Sequence, residues 1–463
     1  MASHITLPGG PLVIQTQGYT PRLWQDRQAI FFANLLGMFF GNERQIAALA
    51  REVMRPECYG ARVVPIMGLL FRGGKNVAVL EVPPDEALCR YFESDLGLKL
   101  PQVHVLPHGD YLEIGRSIQS GVAPGHGIID KLRAHEAPFV DGFVTDPILE
   151  QIAAALGKRA LSTSEGSRRG NNKYLLHAHL ETAGLPVFDT ELADSPSEVP
   201  RRLASLAARG FRHAVVKSQI GASGVGLMKA SVDDAHIAVP ESFFHEGPAM
   251  VQGWVEKGRH GVARVFSPSV QMFLDDEAVY LYDLTEQILS HESVHQGNES
   301  PPPYLDEHPG LMEELFRQAG VAGQWLHDQG YRGTASADFL VTALAEPGAY
   351  RAYVCEINAR LTGATYPSVL ARHFQPRGAW LMRNLKLAKP VSARTVLRLL
   401  DHHSDLFHPG KQRGVLPVNV ILNESGRVEK GQFLCIAPTT AECHEMLLHA
   451  ERDLPIDWEY VRD

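Results

Sequence analysis

Short apolar runs alternate with polar breaks along most of the chain, a pattern typical of a mixed α/β protein. β-Branched and aromatic residues cluster at Ala29–Phe32 and Val77–Val82, which predicts strands there. Apolar residues recur at helical spacing over Asn42–Met54 and Lys173–Ala183, with Gly184 placed to cap the second helix. The polar segment between residues 162 and 172 is rich in Ser, Gly and Arg, and it predicts a linker.

The most informative stretch is DFLVTALAEPGAYRAYVCEINAR, from Asp338 to Arg360. Two apolar runs flank the breakers Glu-Pro-Gly, which predicts a β-hairpin. If the loop is centred on Pro347, Asp338 and Glu356 become cross-strand neighbours with Cβ atoms about 5 Å apart. Asn358 lies two residues after Glu356 and shares its strand face, and Arg360 continues that face if the strand runs on.

Two carboxylates directly opposite each other destabilise a sheet unless a positive charge lies between them. A Mg²⁺ ion would supply that charge, because it prefers carboxylate and amide oxygens and keeps positions open for substrate phosphates. The alternative is structural: Arg360 or Arg332 could pair with one of the acids at a solvated edge.

A glycine-rich segment follows an apolar strand that ends in Lys217. The sequence VVKSQIGASGVG predicts a mobile loop before a second strand at Leu227–Ala230. Its candidate residues are Gly221, Ser223, Gly224 and Gly226. Loop glycines let backbone N–H groups approach phosphate oxygens, and a lysine can hold a phosphate as a point charge. Many ordinary hairpins are glycine-rich as well, and the GK[ST] ending of a Walker A loop is missing.

Two further segments could contact a nucleotide. Lys173 lies in the first turn of its helix, where the helix dipole disfavours a cation, so a negative partner is expected unless it is a solvated surface lysine. The stretch AMVQGWVE resembles an apolar strand that runs into a loop, and its backbone could face a flat base with Trp254 and Val255 as walls. An ordinary core strand fits that stretch equally well.

Composition narrows the class of protein. A chain of 463 residues and 51.0 kDa is too long for one core. Its net charge of −9 disfavours nucleic acid, and its apolar runs are too short for a membrane span. The N-terminus lacks a secretory signal, and five cysteines form no CxxC pair, which indicates a reducing cytoplasm.

Taken in order, these segments resemble the ATP-grasp superfamily. The resemblance covers about Lys173 to Pro367, and the EINAR segment with its upstream aspartate is its most specific part. The organisation is similar to that of bacterial peptide ligases of the pheganomycin-biosynthesis type. The resemblance implies a pre-ATP-grasp α/β domain over 1–157, a lid subdomain over 158–250, a catalytic subdomain over 251–390, and a small β-rich appendage over 391–463.

The resemblance also implies roles for individual residues. Lys173 and Lys217 would contact the nucleotide phosphates beneath a flap spanning Gly221–Gly226. The predicted adenine contacts are Gln252, Gly253 and Val255, and Gln252 replaces the glutamate usual at its position. No clear carboxylate matches the ribose contact: His260 or Arg259 falls near that place, and Glu256 could substitute. Asp338, Glu356 and Asn358 match the Mg²⁺ ligands, with two ions expected and Mn²⁺ as a substitute. Arg360 matches an arginine that faces the reacting acyl group.

The function that the resemblance implies is ATP-dependent ligation of a carboxylic acid to an amine, amino acid or peptide. ATP would convert the acid to an acylphosphate, and the amine would then form the amide. A role in antibiotic or other specialised metabolism and a homodimeric assembly are compatible with it. The alternatives are a kinase on the same scaffold and a non-catalytic nucleotide-binding module. By analogy, the N-terminal domain and residues 361–366 shape the substrate pocket.

Overall fold

The computed structural model describes residues 3–5, 7, 10–16, 18, 24, 26–71, 74–122, 125, 127–289 and 295–457. Within these ranges the strands form three sheets, and helices pack against them. The predicted α/β class is confirmed. The strands are β1 (Ser3–Ile5), β2 (Leu12–Gln15), β3 (Ala29–Phe32), β4 (Val77–Leu80), β5 (Gln102–Val105), β6 (Phe139–Gly142), β7 (Arg159–Ala160), β8 (Thr190–Ala193), β9 (His213–Ala222), β10 (Val225–Ser231), β11 (Ala249–Gly253), β12 (Val262–Phe266), β13 (Pro268–Leu274), β14 (Ala278–Leu289), β15 (His295–Ser300), β16 (Gly333–Leu344), β17 (Tyr350–Asn358), β18 (Ala379–Val391), β19 (Gly414–Leu422) and β20 (Val428–Ala437).

The α-helices connect these strands. They are α1 (Glu43–Glu52), α2 (Met67–Leu70), α3 (Glu86–Arg90), α4 (His108–Gln119), α5 (Gly127–Ala134), α6 (Pro147–Ala155), α7 (Ser164–Gly170), α8 (Lys173–Thr182), α9 (Val199–Ala208), α10 (Leu311–Asp328), α11 (Thr365–Phe374), α12 (Ala393–His402) and α13 (Thr440–Asp453). Short 3-10 segments span Leu35–Phe39, Pro56–Ile66, Pro196–Glu198, Glu241–Phe244 and Leu305–Glu307, and a π-helical turn spans Tyr91–Asp95.

The N-terminal sheet is parallel, in the order β5-β4-β3-β6-β7. Its first strand, AIFF, is fully buried because both faces of the sheet are covered. Ile30 and Phe32 pack with residues of α4, α5 and α6. Phe31 faces the opposite way, into a core that includes Tyr366 and Trp380 from the C-terminal half. One face of this sheet is therefore packed against the rest of the protein.

The second sheet is antiparallel, in the order β10-β9-β11-β8. Leu203 and Leu206 of α9 pack against Val216 and Val251. This sheet carries Lys217 and the glycine-rich segment, together with Gln252 and Gly253 at the end of β11.

The third and largest sheet carries the predicted hairpin, β16 and β17. Its main path is β12-β16-β13-β14-β15-β18-β20-β19. Strand β2 joins it in parallel with β14, and β19 and β20 extend it through β18. The predicted divisions at 157, 250 and 390 remain predictions; the sheets show that N-terminal and C-terminal strands both contribute to this third sheet.

The linker predicted between residues 162 and 172 is wrong. Ser164–Gly170 is a helix, α7, whose first turn is capped by the Thr163 side chain accepting from the Gly166 amide. Glycine at position 170 allows close packing, because a Cβ there would lie 2.4 Å from Leu326 and 2.7 Å from Ala359. The short helix therefore fastens the segment before Lys173 to the third sheet.

Candidate active site

The hairpin has the predicted register. Asp338 pairs with Glu356, and Ser336 pairs with Asn358. A β-bulge follows, because Phe339 pairs with Val354 and leaves Cys355 as an extra residue. The bulge shifts the alternation of side chains by one residue.

That shift puts the polar residues on one face of the sheet. Val354 and Ile357 both face the apolar core against α10, although they are three residues apart. Without the bulge, Glu356 would share the face of Val354. With it, Glu356 and Asn358 lie on the face of Asp338, away from that core.

Asp338 is held by hydrogen bonds from its neighbours. Ser269 Oγ donates to Oδ1 at 2.6 Å, Ser336 Oγ donates to Oδ1 at 3.2 Å, and Asn358 Nδ2 donates to Oδ2 at 2.9 Å. Burial, followed by the charge of Glu356, raises the pKa of Asp338 to about 6 despite these donors. Burial and the neighbouring carboxylate therefore outweigh the three donors at Asp338.

Glu356 has a cationic partner in Lys173, at the start of α8. Lys173 Nζ lies 2.8 Å from Glu356 Oε2 and donates to the Gly221 carbonyl at 3.2 Å. Burial alone would raise the pKa of Glu356, but the charge and hydrogen bond of Lys173 lower it overall. The predicted negative partner of Lys173 is confirmed.

The structural alternative for the two acids is wrong. Within the described ranges, neither Arg360 nor Arg332 forms an ion pair with Asp338 or Glu356. Arg332 Nε lies 3.4 Å from Asp276 Oδ1, and Arg360 donates instead to Asn358 Oδ1. The contact between Glu356 and Lys173 is therefore the main ion pair of this hairpin.

Asn171 and Asn172, for which no role was predicted, position Lys173. Asn171 accepts from the Ala359 amide at 3.2 Å, and its own amide donates to the Ala359 carbonyl at 3.2 Å. Asn172 caps α8 and donates to Gln219 Oε1 at 2.8 Å. Asn171 and Asn172 together join α8 to the second and third sheets. Its signal in the sequence was the run NNK directly before the helix.

The hairpin offers a suitable set of ligands for a hard divalent cation. Two carboxylates and one amide meet on one face, and oxygen donors of this kind suit Mg²⁺. The described residues contain no group of three or more His, Cys, Asp or Glu placed to hold a metal, so Asn358 would have to complete the set. Lys173 and Arg360 direct positive charge at Glu356 and Asn358.

Lys217 lies on β9, opposite Met250 of β11 and Leu227 of β10. Its Nζ is 5.8 Å from the centre of the Phe188 ring. Burial lowers the pKa of Lys217, and the neighbouring charges that act on it include Glu356 and Lys173. The structure therefore brings both predicted lysines to the carboxylate hairpin.

The predicted loop over Gly221–Gly226 is wrong in its extent. Gly221 lies within β9 and Gly226 within β10, and only Ser223 and Gly224 form the turn. Both have positive φ, 53° and 83°, the pattern of a type I′ hairpin turn. Propensity for turns did not reveal that the strands continue through the other glycines.

The end of this hairpin next to the turn is attached to the N-terminal part of the chain. Val225 is buried with Leu36, Phe39 and Leu49. Gln45 Nε2 donates to Ser218 Oγ at 2.9 Å and to the Ile220 carbonyl at 3.2 Å. The turn residues Ser223 and Gly224 are exposed, and these contacts tie any closing motion of the flap to the helix that carries Gln45.

Gly226→Ala is expected to weaken ATP binding about tenfold more than Gly224→Ala. Both glycines have positive φ, so both substitutions carry the cost of a left-handed residue, about 1–2 kcal/mol. A Cβ at Gly226 would also lie 2.1 Å from Ser218 Oγ and 2.7 Å from Gln45 Nε2, whereas Gly224 faces open space. Losing that hydrogen bond adds about 0.5–1.5 kcal/mol. Titrating each variant with ATP measures the difference. Equal affinities would show that the contact between Ser218 and Gln45 does not affect ATP binding.

The predicted adenosine-binding segment begins in the second sheet. The Gln252 side chain is buried and donates to Thr190 Oγ1 at 2.9 Å. The Gly253 amide donates to the Asp189 carbonyl at 2.9 Å, so it is already engaged. Val255 is half-buried, and Glu256 Oε2 lies 3.2 Å from His213 Nδ1. Contacts of these residues with a nucleoside stay predictions.

Arg360 follows the hairpin and is half-buried. Burial lowers its pKa, although Glu356 and Asp338 act in the opposite direction. The next residue, Leu361, donates its amide to the Phe143 carbonyl at 3.1 Å, directly after β6 of the N-terminal sheet. Arg360 therefore lies where the hairpin meets the N-terminal sheet.

Comparison with known proteins identifies the fold. Solved structures that resemble this chain include N5-carboxyaminoimidazole synthase from Aspergillus clavatus in complex with ADP and 5-aminoimidazole ribonucleotide, with a TM-score of 0.51 at 13% identity over 92% of this chain and 99% of that one. Another is biotin carboxylase from Campylobacter jejuni in complex with an ATP analogue, with a TM-score of 0.57 at 13% identity over 94% and 92%. The chain has the ATP-grasp fold that these enzymes share, as the sequence resemblance implied.

One curated relative is similar in sequence. It is the [butirosin acyl-carrier protein]–L-glutamate ligase of Niallia circulans, 28% identical over 256 residues. The match covers 55% of this chain and 57% of the relative, so it spans little more than half of the relative's length. No protein-family profile matches the chain. None of the helices in the described residues is long and apolar enough to cross a bilayer.

Proposed function

We propose that this ATP-grasp protein is an ADP-forming ligase that joins a carboxylic acid to an amine through an acylphosphate. The observation that carries the proposal is the hairpin face itself. Asp338, Glu356 and Asn358 share it, Lys173 reaches it from α8, and Arg360 follows it. Charges of this kind suit phosphoryl transfer to a carboxylate. In such a reaction the main tasks of the protein are to position the two substrates and to neutralise the charge of the phosphates.

The residues divide into two groups by the charge they present. Asp338, Glu356 and Asn358 would hold Mg²⁺, which when bound would neutralise the nucleotide phosphates. Lys173 and Lys217 would bind phosphate oxygens, and Lys173 would exchange its contact with Glu356 for one with phosphate. Arg360 would donate hydrogen bonds to the oxyanion formed when the amine attacks the acyl carbon. The turn at Ser223 and Gly224 would help exclude water, which hydrolyses an acylphosphate.

The relative supports the ligase reaction and suggests one substrate class. Its name specifies L-glutamate and a carrier protein as the joined molecules. For this chain we infer an amino acid or a related small molecule as one substrate, and a role in specialised metabolism. The cysteines Cys58, Cys89, Cys355, Cys435 and Cys443 are all free, which suits the reducing cytoplasm that the sequence predicts.

The reaction predicts that ADP release needs both an acid and an amine, or is much faster with both. The experiment incubates the protein with ATP, Mg²⁺ and pooled acids and amines, and measures ADP, phosphate and the coupled product by mass spectrometry. A kinase would form a phosphorylated product without an amine. A nucleotide sensor would bind ATP and release neither ADP nor product, and either result would contradict the ligase.

A further inference from the structure

A second arginine lies near the candidate active site, on the N-terminal side. Arg62 belongs to the 3-10 segment Pro56–Ile66, and it is only 7% exposed. Its guanidinium lies 4.3 Å from the centre of the Tyr59 ring and 5.0 Å from that of Tyr366. Arg62 Nε donates to the Tyr59 carbonyl at 3.1 Å. Tyr366 is in α11, six residues after Arg360, so the two arginines border the same short segment.

The charge of Arg62 is buried without a carboxylate partner. Among the described residues, no Asp or Glu oxygen lies within 4 Å of its guanidinium, and the same is true of Arg360. Burying an unpaired charge is costly. Contacts with two aromatic rings recover only part of that cost, about 2 kcal/mol for a desolvated pair.

Arg372 shows how this chain treats a structural arginine with the same burial. It is 6% exposed, and its guanidinium lies 2.7 Å from Asp283 Oδ1. It also donates to Ser300 Oγ at 2.7 Å and to the Gly378 carbonyl at 2.6 Å. Arg372 is thus paired with a buried carboxylate, whereas Arg62 has no such partner among the described residues.

The surroundings of Arg62 favour an anion. His295 lies beside the segment after Arg360, because a Cβ at Gly363 would be 3.5 Å from His295 Cε1. Burial lowers the pKa of His295, and the charges that lower it further are Arg62 and Lys430, opposed by a hydrogen bond with Asn298. The positive charges of Arg62 and Lys430 thus both act on His295.

We propose that Arg62 binds a second, non-reacting carboxylate of one of the two substrates, while Arg360 faces the reacting acyl group. The inference rests on the proposed ligase function. It assigns that substrate to the α-amino acids or the dicarboxylic acids. A guanidinium suits this task because its planar fork can hold a carboxylate by two hydrogen bonds. Arg62 would set specificity without taking part in the chemical step.

The test compares Arg62→Gln and Arg62→Lys with Arg398→Gln, which removes the same charge from an exposed position on α12. The amine arm uses glycine and glycinamide, and the acid arm uses glutarate and its monoamide, each paired with partners from the pooled assay. In one of the two comparisons, Arg62→Gln should raise KM for the compound with the extra carboxylate, glycine or glutarate, about 10–100-fold, as expected for a charged hydrogen bond. The KM for the matching amide, glycinamide or the glutarate monoamide, and kcat should stay within about twofold. Whichever comparison changes shows whether Arg62 binds the amine substrate or the acid substrate. Arg62→Lys should fall in between, because it keeps the charge and loses the fork.

A binding measurement separates this inference from the ligase proposal. Calorimetric titration of glutarate and glycine into the protein with MgADP needs no turnover. The wild type should bind at least one of them, and Arg62→Gln should weaken that binding at least tenfold while Arg398→Gln does not. If this holds and no substrate pair releases ADP, the ligase proposal fails and the carboxylate site stands.

A structural role for Arg62 would give a different result. Arg62→Met should keep or raise the melting temperature if the charge serves binding, because the variant no longer buries an unpaired charge. A lower melting temperature with unchanged affinity for glutarate and glycine would overturn the inference. Failure of the wild type to bind either probe would also overturn it.

Discussion

Replacing Glu356 with glutamine is expected to reduce ADP formation by about 10³-fold or more. Glutamine keeps the size of the side chain and removes one of the two carboxylates on the hairpin face. A metal that stabilises transferring phosphate contributes several kcal/mol, and each 1.36 kcal/mol is a factor of about ten in rate. The substitution also removes the ion pair with Lys173 at 2.8 Å, so both metal and phosphate contacts are affected. The measurement is the initial rate of ADP release across a Mg²⁺ titration.

Two other variants make that result specific. Glu346→Gln removes the same charge from the exposed loop of the same hairpin and should keep the wild-type rate. Asn358→Ala removes a neutral oxygen and should mainly raise the Mg²⁺ concentration needed for half-maximal rate. If Glu356→Gln and Asn358→Ala both keep wild-type rates at limiting Mg²⁺, the hairpin is not the metal site.

The register of this hairpin could be predicted because the information is local. The breakers around Pro347 locate the loop, and a loop centred there predicts the pairing of Asp338 with Glu356. Next to the loop the strands are shifted by one residue, with Phe339 opposite Val354, and the bulge at Cys355 restores the predicted pair. The bulge at Cys355 was not predicted, although Val354 and Ile357 are both apolar and break strict alternation. The acidic pair was therefore predicted from short-range pattern, whereas the bulge on which it depends was not.

The predicted linker and the predicted open loop were wrong because tertiary packing overrides local composition. The polar segment around Ser167 resembles a linker, yet it forms a helix whose Gly170 fits against Leu326 and Ala359. Glycines 221 and 226 suggest an open loop, yet both lie within strands, where the register shifts. At Gly170 and Gly226 the small residue permits close approach of an element distant in sequence.

Arg62 could not have been found from the sequence. Its segment has no catalytic motif, and 298 positions separate Arg62 from Arg360 along the chain. Only the packing of Pro56–Ile66 on α11 brings it near the hairpin, and only the burial of its charge makes it unusual. Sites built by two parts of a chain are visible in sequence only when both parts carry a motif.

Arg360→Lys is expected to slow amide formation about 10²–10³-fold while ATP affinity changes by a few-fold at most. A guanidinium can direct two hydrogen bonds to the developing oxyanion, and a lysine offers a point charge without that fork. In the structure Arg360 already donates to Asn358 Oδ1, so its guanidinium is held at the edge of the candidate metal site.

The control for this variant is Arg332→Lys. Arg332 is also half-buried, but its contacts are with Asp276 and with backbone carbonyls of its own segment. That variant should keep amide formation near the wild-type rate, which separates the loss of a catalytic fork from a general cost of replacing arginine. Measuring product by mass spectrometry and ATP affinity by titration tests both arginines. Near-normal amide formation in Arg360→Lys would remove the catalytic role of Arg360, whereas a large loss of ATP affinity would place its guanidinium at the phosphates.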